Sequence, residues 1–262
     1  MSIAPKSMRK AARIVLLGML ALSLSGCIFL RLNTFRKQMG NFTEYASFKI
    51  ENHHPVVYFK KPVLRVSDIA WLGGEPPSTT TGTVKKEYSA TWKLVKLYPQ
   101  ERIPEKDNYD LHITLDSKGN KVHRLEMPVR FRQVINEEVM DLFFDKADDA
   151  DIEKKETSAA WSMANSPILP SMRDIIKTCG QPYAYESTKT EISITYKYHL
   201  VPPVTEKTTS KKSGEKSVDV DATLTYRNPG KGFLRSKVKV GKIHFTNIGD
   251  GKGAFKVRVR RK

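Results

Sequence analysis

The sequence contains none of the short motifs that mark the common catalytic sites. It has no Gly-x-Ser-x-Gly elbow, no phosphate-cradling glycine loop and no His-Glu-x-x-His helix. Its two cysteines form no paired-cysteine motif. A zinc site needs three or four ligands, and the spacing of the six histidines does not bring that many together. We therefore predict no catalytic residues, no metal site and no cofactor, and we expect that the protein is not an enzyme.

The apolar run near the N-terminus is too short to cross a bilayer as a helix, which takes about 20 residues. It has eleven residues, from Ile14 to Leu24, and the small residues Ser25 and Gly26 follow it. Four basic residues precede it: Lys6, Arg9, Lys10 and Arg13. This order is typical of a secretory signal peptide.

The end of this leader, Leu24-Ser25-Gly26-Cys27, resembles a bacterial lipobox. The resemblance implies cleavage between Gly26 and Cys27, diacylglycerol on the Cys27 sulfur and a further acyl chain on the new amino terminus. Two or more acyl chains give stable membrane anchoring. Ile28 stands where an aspartate would resemble an inner-membrane retention signal, which favours the outer membrane facing the periplasm. An ordinary cleaved signal peptide with a chance cysteine is the alternative.

The second cysteine, Cys179, has no intramolecular partner if Cys27 carries lipid. We therefore predict that Cys179 is a buried thiol that acts as a small apolar residue.

Acidic residues are too few to balance the basic ones, and the net charge is +17. Removal of the leader, with its four basic and no acidic residues, lowers this to +13. Such a charge indicates anionic partners. An exported, anchored protein does not meet nucleic acid, so we expect envelope partners: phospholipid, lipopolysaccharide, peptidoglycan, acidic polysaccharide or an acidic protein surface.

Apolar residues recur at spacings of three and four directly after Cys27, which predicts a juxtamembrane helix within 27–46. A break at Gly40-Asn41 is expected, with Asn41 as the N-cap of a second short helical turn. The helix either lies on the anionic membrane surface or packs back onto the folded domain, and the second arrangement is slightly favoured. Its apolar members are Phe29, Leu32, Phe35, Met39, Phe42 and Tyr45.

The region 47–130 is predicted to be rich in β-strands. Strands are expected at 47–51, 56–59 and 63–69, followed by an exposed, mobile loop from Gly73 to Lys86. Alternation centred on Trp92 predicts a half-buried strand. The clearest hairpin joins 111–116 to 121–127 across Ser-Lys-Gly-Asn, where His112 and His123 are expected to share a face.

The region 131–201 is predicted to repeat helix, turn and aromatic strand with a shift of 35 residues. Helices are expected at 134–146 and 169–179, and strands at 157–163 and 191–201. The second unit, with its Cys-Gly-Gln-Pro turn, is similar to the helix, Gly-x-Pro turn and strand of SmpA/OmlA (BamE)-like outer-membrane lipoproteins. That resemblance implies a scaffold in an outer-membrane assembly machine. The segment 136–157 has nine acidic residues against three lysines.

The region 202–262 is predicted to begin with a flexible loop, 202–217, and to continue as a basic meander of three strands at 218–226, 233–246 and 254–260. Because residues alternate between the two faces of a strand, we expect neighbouring strands to place cations side by side. The face then either binds an anionic ligand or is a solvated surface that prevents edge aggregation. The candidate ligand-binding residues are Lys237, Lys239, Lys256, Arg258 and Arg260.

Together these patterns predict an α+β protein, mainly antiparallel sheet with two or three helices, behind a signal peptide at 1–26. The favoured function is a non-enzymatic structural or assembly role in an envelope protein complex, through protein-protein contacts. The alternative is a binder of anionic envelope ligands, such as lipopolysaccharide, phospholipid or acidic polysaccharide.

Overall fold

The protein is built on a single antiparallel sheet. A computed structural model describes residues 28–39, 41–98, 111–135, 137–138, 140, 151–153, 156–161, 170–203, 219–229, 232–248 and 253–259. Within these ranges all fourteen strands belong to that sheet. The strands are β1 Ala46–Glu51, β2 His54–Phe59, β3 Thr79–Gly82, β4 Glu87–Leu97, β5 Leu111–Lys118, β6 Lys121–Glu126, β7 Asp151–Glu153, β8 Glu156–Trp161, β9 Ala184–Ser187, β10 Glu191–Leu200, β11 Asp219–Arg227, β12 Phe233–Val240, β13 Ile243–Ile248 and β14 Gly253–Val259.

The strand order is β1-β2-β6-β5-β4-β10-β11-β12-β13-β14-β8-β7, with β3 paired to β4 and β9 paired to β10. Six strand spacings separate β6 from β13, which is roughly 29 Å along the sheet at about 4.8 Å each. Nevertheless Leu125 of β6 and Ile243 of β13 line the same cavity. Phe245 of β13 also packs against the cluster of Phe42, Ala46 and Val57. The sheet is therefore strongly curved around an interior.

Helices cover the concave side of this sheet. Residues 28–39 form helix α1, and the others are α2 Phe42–Tyr45, α3 Val66–Gly73, a 3₁₀ helix Val129–Gln133 and α4 Met172–Cys179. The expected α+β class with a mainly antiparallel sheet is confirmed, whereas the described part of the chain has about four helices instead of two or three.

The strands predicted around Trp92 and at 191–201 are confirmed as β4 and β10, and the hairpin across Gly119 is confirmed as β5 and β6. Their core positions alternate as expected, with Ala90, Trp92 and Leu94 buried on β4. The segment from Gly73 to Lys86 is exposed but is not simply a loop, because β3 within it pairs with β4.

The strand predicted at 63–69 is wrong, because α3 begins at Val66 within this range. Apolar residues at 66, 69, 70 and 72 fit the helical period, in which neighbours on one face lie three or four residues apart. The Asp68 carboxylate also accepts the backbone N–H of Arg65 at 2.9 Å, which satisfies a donor at the start of the helix. Gly74, at φ +87°, ends it.

The C-terminal meander has four strands and not three, because the predicted strand 233–246 turns at Gly241 and Lys242. Gly241 has φ +52°, and a Cβ atom at this position would overlap the carbonyl groups of Gly73 and Leu72 at the end of α3. The backbone N–H of Lys242 donates to the Leu72 carbonyl at 2.9 Å. This turn is therefore packed directly against α3.

Gly241→Ala is expected to destabilise the protein by more than the strain of a left-handed residue, which is about 1 kcal/mol. The matched control is Gly119→Ala, at φ +56° with open space around the added methyl group. Urea unfolding measures both free energies. Equal losses for the two variants would show that the turn does not pack against α3 as described.

Three expectations lie mainly or wholly outside the described residues: the helix at 134–146, the loop at 202–217 and the acidic segment 136–157. The strand predicted at 157–163 is β8 in the described part, and it pairs with β14 at one end of the sheet. Its proposed repeat partner, β10, instead pairs with β4 and β11 at the centre. The two units therefore do not occupy equivalent places.

Candidate apolar binding site

The concave side of the sheet lines a partly open cavity of about 640 Å³. Specific small-molecule sites span about 300–1,000 Å³. None of the described lining residues carries a charge. The lining side chains come from strands in both halves of the sheet, from α1, α3 and α4, and from the 3₁₀ helix. The main lining residues are Phe35, Gln38, Phe59, Ile69, Leu72, Trp92, Leu94, Leu115, Leu125, Phe131, Ile175, Cys179, Tyr196, Tyr198, Leu200, Val220, Ala222, Leu224, Ser236, Val238, Val240 and Ile243.

Strand alternation builds the wall formed by β10, β11 and β12. The antiparallel register places Ala222 opposite Tyr196 on one neighbour and opposite Val238 on the other. Since successive residues point to opposite faces, every second residue of each strand faces the cavity. Ala222 and Ser236 are small, which leaves space in this wall where larger side chains would fill the interior.

Three of the larger lining side chains direct their polar ends to backbone groups. The Tyr196 hydroxyl donates to the Gly180 carbonyl at 2.8 Å, and Trp92 Nε1 donates to the Glu75 carbonyl at 3.1 Å. Gln38 Nε2 donates to the Lys61 carbonyl at 2.9 Å. Because these donors are occupied, the cavity wall presents mainly hydrocarbon.

Helix α1 covers part of the cavity and is fixed to the domain. The Arg31 guanidinium donates twice to the Asp68 carboxylate of α3, at 2.6 and 2.7 Å. The Phe35 ring meets the Phe59 ring edge-on at 6.1 Å between centroids. Of the two arrangements expected for this helix, packing onto the domain is therefore the one observed. The short helix after Asn41 is also present, but the Asn41 side chain makes no cap hydrogen bond.

Helix α4 closes another side of the cavity. Ser171 and Asp174 form a capping box in its first turn, where the Asp174 carboxylate accepts a hydrogen bond from the Ser171 hydroxyl at 2.6 Å. This bond lowers the pKa of the Asp174 carboxyl. At its other end Lys96 Nζ donates to the Cys179 carbonyl at 2.5 Å, and Lys96 is buried. A cation at a helix C-terminus is stabilised by the helix dipole, and Lys96 also lies 5.1 Å from the centroid of the Tyr196 ring.

The prediction that Cys179 is a buried thiol is confirmed, and Cys179 lies in the cavity wall. Burial raises its thiol pKa to about 11, although the nearby charges of Lys96 and Arg130 act in the opposite direction. The neutral thiol is therefore favoured in the folded state. This group's contribution to stability is present below the unfolded pKa and is lost as the pH rises towards about 11.

Alkylation of Cys179 at pH 8 is expected to be about 100-fold slower in the folded protein than in urea, because the thiolate is the reactive form and its pKa is raised. The rate should increase as the pH approaches 11. Mass spectrometry of iodoacetamide-treated protein measures both rates. Rapid modification of the folded chain at pH 8 would contradict the described burial.

The candidate cations on β12 lie on the other side of the wall. Lys237 and Lys239 are exposed, whereas Val238 and Val240, which alternate with them, line the cavity. The expected alternation on β12 is therefore confirmed. The expectation that neighbouring strands place the cations side by side is wrong, because β13 lies between the two basic strands β12 and β14.

The register explains how this spacing arises. Lys237 pairs with Thr246 of β13, and Lys239 pairs with His244. On the other side, Lys239 is paired with Asp221 of β11, so that a carboxylate lies next to one of the predicted cations. The same two residues of β13 pair with the cations of β14, Thr246 with Lys256 and His244 with Arg258. Arg260 and the predicted cleavage and acylation residues Gly26 and Cys27 lie outside the described residues.

The histidines are not gathered into a site. His112 pairs with Lys93 of β4, while His123 lies at the bulge where the register shifts between Asp116 and Ser117. His112 lies four residues along β5 from Asp116, beside which His123 bulges from β6, so the two rings are not adjacent on the hairpin. In the described residues no group of three or more His, Cys, Asp or Glu side chains could hold a metal ion.

Comparison with protein-family models, characterised proteins and solved structures finds no match. The cavity and its surroundings are therefore the features that indicate a function. Among the described helices, none is long and apolar enough to span a membrane.

The cavity is the feature that sequence reasoning missed. Alternating patterns on β10, β11 and β12 predicted inward-facing side chains, but a strand pattern does not indicate whether the inward side is filled. Two signals were present in the sequence: the small residues Ala222 and Ser236 occupy inward positions on adjacent strands.

Proposed function

We propose that the protein is a lipid-anchored envelope protein that binds the hydrocarbon chain of a lipid in its cavity. The observation that carries this proposal is the cavity of about 640 Å³, whose described lining residues are all uncharged. Protein interiors are normally close-packed, and empty apolar space costs stability. An apolar cavity of smaller size is known to accept an apolar ligand. Function accounts for a cavity that folding alone disfavours.

The lining selects the part of the ligand that enters. Hydrocarbon contacts favour an apolar chain by about 0.8 kcal/mol for each buried methylene. The described lining residues carry no charge, and the Lys96 ammonium behind Cys179 and Tyr196 already donates to the Cys179 carbonyl. A carboxylate or phosphate inside would therefore be desolvated without an opposite charge in the described wall, which is costly. The head group of an amphiphilic lipid therefore stays at the cavity mouth.

This proposal changes the expected role of the basic strands. Lys237 and Lys239 are on the face opposite the cavity, so they do not contact a chain bound inside. We assign them to a separate contact with an anionic membrane or protein surface. The structural or assembly role in an envelope complex stays a prediction, and so does the location at the outer membrane facing the periplasm. Both are compatible with binding of a hydrocarbon chain.

The experiment is affinity capture of the acylated protein from membranes in mild detergent, with mass spectrometry of the extracted lipids. We expect a lipid to co-purify with the wild-type protein and with Lys237→Gln/Lys239→Gln, whose substitutions lie outside the cavity. A captured protein free of lipid would contradict chain binding. Loss of the lipid from the double glutamine variant would instead favour an anionic ligand on the basic face.

A further inference from the structure

Phe29, Trp71 and Lys242 are in contact at the start of α1, and the exposed Leu30 follows Phe29 in the same helical turn. We call these four residues the anchor-side surface. The Phe29 and Trp71 rings meet edge-on with 5.9 Å between centroids. Lys242 Nζ lies 3.5 Å from the centroid of the Trp71 ring. Leu30 is 68% exposed, the highest value among the large apolar side chains that the structure describes as exposed.

This surface is held rigidly. The paired hydrogen bonds from Arg31 to Asp68 fix the first turn of α1 against α3. The backbone N–H of Lys242 donates to the Leu72 carbonyl, and this bond fixes the β12–β13 turn against the end of α3. An apolar helix turn, an exposed leucine, a tryptophan and a lysine are thereby kept next to one another.

We infer that the anchor-side surface contacts the bilayer that holds the acyl chains of Cys27. The inference rests on the anchoring included in the proposed function. Only Ile28 separates Phe29 from Cys27 in the sequence, so the Cα atoms of Phe29 and Cys27 are at most roughly 7 Å apart in any backbone conformation. An acylated Cys27 therefore brings this surface to the head groups. Tryptophan and lysine are the side chains enriched at such interfaces.

The same placement sets the source of the cavity ligand. Leu72 and Gly73 of α3 and Val240 and Ile243 beside the β12–β13 turn all line the cavity. These residues directly adjoin the anchor-side surface. The bilayer contact would therefore bring this part of the cavity wall close to membrane lipid, which makes membrane lipid the expected source of the hydrocarbon chain.

The test uses the three tryptophans of the chain, Trp71, Trp92 and Trp161, as reporters. The acylated protein is reconstituted in vesicles of phosphatidylethanolamine and phosphatidylglycerol that carry bromine close to the head groups. Trp92→Phe/Trp161→Phe leaves Trp71 as the only emitter. We expect brominated lipid to quench most of its fluorescence. Emission equal to that in unbrominated vesicles would overturn the inference.

Two further variants separate the contact from its alternatives. In the Trp71-only protein, Leu30→Asn is expected to reduce the quenching. The control Val84→Asn removes an apolar side chain that is 44% exposed elsewhere and should leave the quenching unchanged. Equal quenching in both variants would argue against the contact.

Cavity loading has its own reporter. Trp71→Phe/Trp161→Phe leaves Trp92 in the cavity wall, where quenching requires a lipid brominated along its chain to enter. Quenching of Trp71 without quenching of Trp92 would support the bilayer contact and reject the proposed ligand. The reverse result would reject the contact and keep the ligand.

Discussion

Ala222→Trp is expected to weaken binding of a long-chain fatty acid by about 60-fold or more. The substitution adds an indole ring to the cavity wall formed by β11, where Ala222 is a lining residue. Displacing even three methylenes of the bound chain costs about 2.4 kcal/mol, which corresponds to that factor. Displacement of a fluorescent fatty acid measures the affinity.

The stability of Ala222→Trp should not fall with its affinity for the fatty acid. Because the ring enters space that is already open, thermal unfolding is expected at an unchanged or higher temperature. Thr223→Trp, one residue along β11, is the matched control on the other face of the strand. Equal loss of affinity in both variants would show that the chain does not bind where the cavity lies.

Arg31→Met is expected to destabilise the protein by about 3–5 kcal/mol, the range for removing one partner of a buried ion pair. The Asp68 side chain is only 1% exposed, so the variant leaves a carboxylate inside the protein without its guanidinium. Urea unfolding measures the effect. Since α1 covers part of the cavity, the release of a bound fatty acid should also become faster.

The double variant Arg31→Met/Asp68→Leu tests the reason for this loss. Removing both charges eliminates the buried carboxylate, and the double variant should be more stable than Arg31→Met alone. If the double variant instead loses as much unfolding free energy as Arg31→Met and Asp68→Leu lose together, the two ions contribute independently to stability. In that case α1 is not held by their pairing.

The strand content was predictable because alternation is a local signal. Ile192, Ile194, Tyr196 and Tyr198 follow one another at every second position, and all are buried on β10. The turn at Gly180 was also predictable, because a glycine followed two residues later by a proline, Pro182, is a common helix end. Gly180 has φ +73° in the structure.

The misassigned segments depended on contacts that are distant in sequence. Residues 63–69 contain β-branched residues, but the buried pairing of Asp68 with Arg31, 37 residues away, stabilises a helix there. The turn at Gly241 is fixed by carbonyl groups of Leu72 and Gly73. Sequence periodicity contains no information on such partners.

The cavity could not be predicted for a related reason. Its wall joins β6 with β13, and their meeting depends on the curvature of the whole sheet. Alternation correctly separated Val238 and Val240 from Lys237 and Lys239. It did not predict that β13 would lie between β12 and β14, and so the cations were expected to be closer together than the strand order permits.

The most direct measurement of chain binding is the affinity of the delipidated protein for a series of saturated fatty acids of increasing length. Native mass spectrometry of each complex then gives its stoichiometry. A hydrocarbon chain buried in the cavity gains about 0.8 kcal/mol per methylene, so the affinity should rise about fourfold for each added carbon until the cavity is full. The complex should contain the fatty acid at a defined stoichiometry. Affinity that does not depend on chain length, or no complex at any length, would contradict the account.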